Sequence, residues 1–178
     1  MISRGKEVRM IKSFNGKTPV IAESAFVHEA AYLVGDIEIG ENSSVWPGAV
    51  LRGDFGKIKI GKRTVVEDNC VIHAGMGDVD IGDQVNIGHA AVLDCRKIGD
   101  SVLIGMHSTI LHGVEIGDYS VIAAGCLVSP GMKVPERSFV VGIPGRIKGE
   151  VSSEQLRWAQ EGCEIYVKLS QEYKEQGF

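Results

Sequence analysis

The stretch Ile98-Gly-Asp-Ser-Val-Leu-Ile104-Gly-Met-His-Ser-Thr-Ile110-Leu-His-Gly-Val-Glu-Ile116-Gly-Asp-Tyr-Ser-Val-Ile122-Ala-Ala-Gly-Cys-Leu-Val128-Ser-Pro-Gly-Met-Lys-Val134-Pro-Glu-Arg-Ser-Phe-Val140 carries a β-branched residue at every sixth position. Glycine follows three of these markers directly, at Gly99, Gly105 and Gly117. The fourth position after a marker is small or aliphatic: Val102, Ser108, Val114, Ser120, Cys126. A six-residue period fits neither the helical repeat nor the two-residue alternation of a simple hairpin strand. It is the pattern of a hexapeptide-repeat parallel β-helix, in which each repeat is a short strand and a turn and three repeats close one triangular coil. Coils stack at the inter-strand distance of about 4.8 Å. No coil buries its own marker alone, so the aliphatic column exists only through stacking.

Working outward, the period extends backwards with irregularities. Markers fall at Ile21, Val27, Val34, Ile39, Val45 and Leu51, then at Ile60, Val66, Ile72, Ile81, Ile87 and Leu93. A break is expected at Gly53 to Ile58 and a short loop from Ala74 to Asp80. The expected organisation is an N-terminal arm and cap over residues 1–20, a β-helix domain over 21–145 and a C-terminal helix over 152–176. Within the first part, residues 1–9 read as an arm and 10–20 as a strand or hairpin covering the first coil, since a solenoid needs closed ends. Gly142-Ile-Pro-Gly145 ends the period. Ser152 followed by Gln155 marks a helix start. Leu156, Ala159, Cys163, Tyr166 or Val167, and Tyr173 then form a stripe that would lie along the solenoid.

Composition narrows the function. The chain has 178 residues, 44% of them apolar, with 23 glycines and a net charge of −4. That charge gives no long-range attraction to nucleic acid or to an anionic membrane surface. No apolar run approaches the roughly 20 residues of a membrane span, and no signal peptide is visible, so a cytoplasmic protein is expected. Cys70, Cys95, Cys126 and Cys163 show no CxxC spacing and read as reduced, small apolar residues.

The candidate chemistry lies where polar residues share a phase of the repeat. His73 follows marker Ile72 and Asp94 follows marker Leu93, so both occupy one face, one coil apart. Side chains that close can converge on one metal ion. His89 lies two places after Ile87 on the preceding face and points elsewhere. It could reach the same ion from a neighbouring subunit, which makes a metal site between subunits a geometric expectation. His28, His107 and His112 read as surface residues, with the last two near enough in phase to support the ligands.

Val45-Trp-Pro-Gly-Ala-Val-Leu-Arg-Gly-Asp54, Glu67-Asp-Asn-Cys-Val-Ile-His73, Ile87-Gly-His89 and Val140-Val-Gly-Ile-Pro-Gly145 resemble the gamma-class carbonic anhydrase family, from about Lys17 to the C-terminal helix. The resemblance implies a left-handed parallel β-helix, a homotrimer and three metal sites at the subunit interfaces. It implies that His73 and His89 are ligands, and that Arg52, Asp54 and Asp68 form an ion-pair network beside them. The implied cofactor is Zn2+, with Fe2+ or Co2+ as alternatives. The implied activity is the carbonate dehydratase (lyase) reaction, reversible hydration of CO2 to bicarbonate by a metal-bound hydroxide.

Three departures bear on that activity. Asp94 stands where the family's third histidine is usual; an oxygen ligand there lowers the acidity of the ion and of its bound water. One coil later the family often has Leu-Asp-Gly, where this chain has Leu111-His112-Gly113, so His112 could orient or replace Asp94. Glu67 stands where a water-orienting glutamine is common; it could accept a proton as general base or pair with Arg52. Phe55 and Gly56 follow Asp54, and with the short 74–80 loop no acidic proton shuttle is evident. Two other readings stay open: a non-catalytic trimeric scaffold and a hexapeptide-repeat acyltransferase. The second lacks a histidine in the loop.

Overall fold

The computed structural model describes residues 10–178, so the expected arm over residues 1–9 lies outside the described residues. From Val20 to Val141 the chain winds as a parallel β-solenoid with three faces. The first face stacks Phe26–Val27, Ser44–Val45, Val65–Val66, Asn86–Ile87, Leu103–Ile104, Val121–Ile122 and Ser138–Val141. The second stacks Val71–His73, Val92–Leu93, Thr109–Ile110 and Leu127–Val128; the third stacks Val20–Ile21, Val79–Ile81, Lys97–Ile98, Glu115–Ile116 and Lys133–Val134. Two long strands, Tyr32–Ile39 and Val50–Ile60, run through both the second and third faces.

The marker residues form the core. Leu51, Ile72, Leu93, Ile110 and Val128 are fully buried, as are Val66, Ile87, Ile104, Ile122 and Val140. Each large aliphatic side chain removed from water contributes about 1.5–3 kcal/mol. The corner between third and first faces is turned by Asn42, Arg63, Gln84, Ser101, Tyr119 and Arg137, all left-handed with φ of 55–58°. That conformation is strained for residues with a Cβ. A ladder of backbone bonds holds it: Arg63 N–H donates to Glu41 O and Tyr119 N–H to Asp100 O, both at 2.9 Å. Gly105 shows why glycine follows a marker. A Cβ there would lie 2.4 Å from the Ala124 nitrogen of the next coil.

The period does break at Gly53 to Ile58, but without a loop: these residues lie inside the 11-residue strand Val50–Ile60. That strand is paired at both ends: Val50–Gly53 and Ile58–Ile60 with Tyr32–Ile39 on one side, Val50–Arg52 with Val71–His73 and Ile58–Ile60 with Val79–Ile81 on the other. The extra residues are absorbed by a register shift between Gly35 and Ile37 rather than by a loop. One expectation is corrected: Val34 is not the inward residue of its coil. Leu33 and Ile37 are buried and Val34 is only half-buried. The six-residue count from Val27 to Ile39 lands on Leu33, so the period is regular here and the marker is Leu33.

Outside the core, the third face carries a row of charges in cross-strand register: Glu38, Lys59, Asp80, Lys97, Glu115 and Lys133. At the N-terminal end, Ile11–Lys12 pairs in parallel with Leu33–Val34, and Phe14 and Lys17 close a tight antiparallel turn. At the far end, Arg146–Glu150 pairs antiparallel with Ser138–Val141.

The helix Ser153–Glu175 opens on a reciprocal capping box: Gln155 N–H donates to Ser152 Oγ at 3.2 Å and Ser152 N–H to Gln155 Oε1 at 2.9 Å. It lies along the first face. Cys163, Tyr166, Leu169 and Tyr173 pack onto Phe26, Trp46 and Val65. Trp46 is the platform, with ring centroids 5.1 Å from Tyr173 and 5.3 Å from Phe26. Polar ties complete the seat: Gln171 Nε2 donates to Ser24 O at 3.2 Å, and Arg63 pairs with Glu164. Among the described residues, no helix is long and apolar enough to cross a membrane.

Candidate metal centre

His73 ends the strand Val71–His73 on the second face, and Asp94 directly follows Val92–Leu93 in the next coil. Leu93 is the register partner of Ile72, so Asp94 stands beside His73. Asp94 N–H donates to Ile110 O at 2.9 Å, which fixes the backbone on its other side. The two side chains approach one point. A Cβ on Gly75 would lie 2.7 Å from His73 Cε1, 2.8 Å from His73 Nδ1 and 3.4 Å from Asp94 Oδ1. Gly75 N–H donates to Asp94 Oδ1 at 3.2 Å.

Below this pair, in the preceding coil, lie Arg52 and Asp54. Arg52 Nη1 donates to Asp54 Oδ2 at 2.7 Å. Asp54 Oδ1 lies 3.1 Å from His73 Nε2, and Arg52 Nη2 lies 3.2 Å from His73 Nδ1. The guanidinium can only donate, so Nδ1 accepts and the ring proton sits on Nε2, facing Asp54. Burial pushes the Asp54 carboxyl up, but hydrogen bonds from Arg52 and His73, with the Arg52 charge, outweigh it and hold the group below its ordinary 3.8. Phe55 stands edge-on to His73 with ring centroids 6.1 Å apart. It is 79% exposed.

His89 belongs to a separate group at the end of the first face. Its Nε2 lies 3.0 Å from Glu67 Oε2 and its Nδ1 3.0 Å from Asp68 Oδ2. Glu67 Oε2 also accepts the His89 backbone N–H at 3.0 Å. Glu67 is buried, and burial pushes its carboxyl above the ordinary 4.5 despite the opposing pull of His89 and of a hydrogen bond from Tyr166. Within one chain Glu67 therefore meets His89 and Tyr166 rather than Arg52. Asp68 likewise meets His89, not the Arg52–Asp54 pair.

Among the described residues, no three His, Cys, Asp or Glu side chains of one chain gather as a metal-binding group. The chain presents two halves: His73 with Asp94 on the second face, and His89 at the end of the first. The first half has the donor types of a divalent-cation site, an imidazole and a carboxylate beside a space kept clear by a missing Cβ, and a cation there would take His73 Nδ1 in place of Arg52 Nη2. His112 is exposed one position past Leu111, which is the residue in phase with Asp94. His107 occupies a left-handed corner at φ 57°, its N–H donating to His89 O. His28 accepts the Ala30 N–H in a local turn.

Two contributors were not visible in the sequence. Gly75 looks like any loop glycine until a Cβ is built on it. Tyr166 belongs to a helical stripe, and only docking of the helix brings its hydroxyl to Glu67.

A protein named Probable carbonic anhydrase from Methanocaldococcus jannaschii is 42% identical over 153 residues, covering 85% of this chain and 96% of its own length. The chain belongs to the gamma-class carbonic anhydrase family of hexapeptide-repeat proteins. Another member, Gamma carbonic anhydrase 1, mitochondrial, from Arabidopsis thaliana, is 33% identical over 170 residues; they cover 92% of this chain and 62% of that longer protein. The model of the family described as Bacterial transferase hexapeptide (six repeats) matches residues 97–130. Among solved structures, a hexapeptide transferase family protein from Anaplasma phagocytophilum superposes with a TM-score of 0.88 at 32% identity, over 93% of this chain and 98% of that one. The matched repeats begin just after Asp94, on the coils that stack directly against those carrying His89 and Asp94.

Proposed function

We propose that the protein binds a divalent cation between copies of itself and hydrates CO2 reversibly to bicarbonate. His73 and Asp94 of one copy and His89 of the next would hold the ion. The observation that carries this reading is the approach of His73 and Asp94, from neighbouring coils, to one point at Gly75. Each copy offers one half-site on each of two faces, so contacts run head to tail and close as a ring. The family resemblance makes that ring a homotrimer with three such sites.

A bound divalent cation supplies Lewis acidity that makes water nucleophilic near neutral pH. Asp54 accepts the His73 Nε2 proton and orients the ring, so Nδ1 would face the ion once Arg52 Nη2 gives up that contact, and Arg52 Nη1 balances the Asp54 charge; such supporting partners orient a ligand and set its basicity. Glu67, its carboxyl raised by burial, would take a proton at Oε2. Its neighbour Tyr166 holds that carboxylate in orientation. Asp94 adds negative charge that an imidazole would not, so hydration should be slower than with a third histidine.

The test is metal content in protein purified without chelator, with CO2 hydration followed by stopped flow, on the native chain and on Asp94→His. Metal in both, with faster hydration in the variant, supports the reading. Metal or hydration only in Asp94→His overturns it and leaves a non-catalytic scaffold.

A further inference from the structure

Gly75 has no backbone reason to be glycine. It is not among the left-handed glycines of the chain, whereas Gly77 in the same loop is, at φ 120°. Space around the two residues is also opposite. Nothing lies within 4 Å of a Cβ built on Gly77. A Cβ on Gly75 would meet the His73 ring at 2.7 Å and 2.8 Å and the Asp94 carboxylate at 3.4 Å. Contacts below 3 Å are not tolerated between carbon and ring atoms, so something must move. The ring is the free end of a side chain, so it would be the His73 imidazole that turns.

The same residue also acts through its backbone. Its N–H donates to Asp94 Oδ1 at 3.2 Å, the one side-chain hydrogen bond of that carboxylate among the described residues. Asp94 is thereby held by one oxygen, and its other oxygen is left for a cation. We infer that Gly75 is a positioning residue for metal binding: its missing side chain admits the His73 imidazole, and its N–H sets the Asp94 carboxylate beside it. The inference rests on the metal-binding reading above. It deepens that reading by assigning the shape of the half-site to a residue that cannot itself be a side-chain ligand.

Structural and positioning roles separate cleanly here. In Gly75→Ala the backbone keeps an ordinary φ and the imidazole can give way, so thermal stability changes little. Metal geometry cannot give way, because ligand atoms must sit within a few tenths of an ångström of their bonding distance. Loss of a supporting element of this kind weakens metal binding by about 10–100-fold. Gly77→Ala should do the reverse. A Cβ at φ 120° strains the backbone and lowers Tm, but it touches neither ligand.

The experiment is Co2+ titration followed by visible absorption, with Zn2+ affinity from chelator competition and Tm of the metal-free protein. It uses the full-length native protein, Gly75→Ala and Gly77→Ala. Expected are a tight Co2+ spectrum in the native protein and a spectrum altered in shape and weakened about tenfold or more in Gly75→Ala at nearly native Tm. Gly77→Ala should lose Tm with its metal affinity intact. Native-like binding by Gly75→Ala would overturn the positioning role while leaving the metal site standing. Absence of binding by the native protein would overturn both.

Discussion

The ring of Tyr166 lies 5.3 Å from that of Trp46 at an interplanar angle of 67°, and its hydroxyl reaches the buried carboxylate of Glu67. The C-terminal helix thus meets the solenoid through an aromatic contact and sets a hydroxyl beside the His89 group, where it helps to lower the Glu67 carboxyl. Tyr166→Phe keeps the first and deletes the second. We expect a loss of about 1–2 kcal/mol in denaturant unfolding, since a buried carboxylate loses a donor. The Glu67 carboxyl should rise further above its ordinary range. Carbon-detected NMR titration of the Glu67 carboxyl checks the direction, and a pKa unchanged in the variant would show that the hydroxyl does not act on it.

Asp54 accepts from both Arg52 and His73. Asp54→Asn leaves the shape and removes the charge that favours the proton on His73 Nε2. Metal affinity should fall by about tenfold or more, as for other partners that orient a ligating imidazole. Isothermal titration with Zn2+ reads this directly. Equal affinity in the variant would mean that Asp54 serves only the fold.

Inward and outward positions of one coil should respond very differently. Ile110 is fully buried and Val92, in the neighbouring strand, is 42% exposed. Ile110→Ala is expected to cost about 2–5 kcal/mol through lost burial and the cavity it leaves. Val92→Ala should fall within about 0.5 kcal/mol in the isolated chain. Chemical unfolding of both variants tests the assignment of faces.

The four cysteines are free and buried. Burial pushes the thiols of Cys70, Cys95 and Cys163 from 9.0 up to about 12. A thiolate-directed reagent at pH 8 should therefore label none of the four in native protein and all of them in denaturant. The sign for stability follows from the raised values. The native state keeps these protons above pH 9 while the unfolded chain releases them, so stability is full below about 9 and falls as pH rises toward 12. By pH 10 each of the three thiols should cost about 1.4 kcal/mol. Replacement of the three by alanine should flatten that alkaline slope.

Much of the solenoid was legible because one signal, a β-branched residue every sixth position, is stated many times over. From Ile98 to Val140 each copy agrees with its neighbours, and the markers there are all buried. Legibility failed at Val34, where the aliphatic run Leu33-Val34 hides that the six-residue step falls on Leu33. The break at Gly53 to Ile58 was legible, but not that two long strands carry the chain through that corner. The pairing of His73 with Asp94 followed from phase alone. The roles of Gly75 and Tyr166 did not, since one is defined by an absent atom and the other by how a distant helix docks.

A stack of similar coils has a natural competitor in which a strand skips its neighbour and pairs with the coil after it. The charged row of the third face bears on that error. In native register every adjacent pair is opposite in sign: Glu38 with Lys59, Lys59 with Asp80, Asp80 with Lys97, Lys97 with Glu115, Glu115 with Lys133. Skipping one coil would set Glu38 against Asp80, Lys59 against Lys97, Asp80 against Glu115 and Lys97 against Lys133. Directly opposed like charges destabilise a sheet. The apolar interior, repeating faithfully from coil to coil, would accept the mispaired strand. The alternating exterior acts as a parity check, rejecting a skip that the core alone would let through.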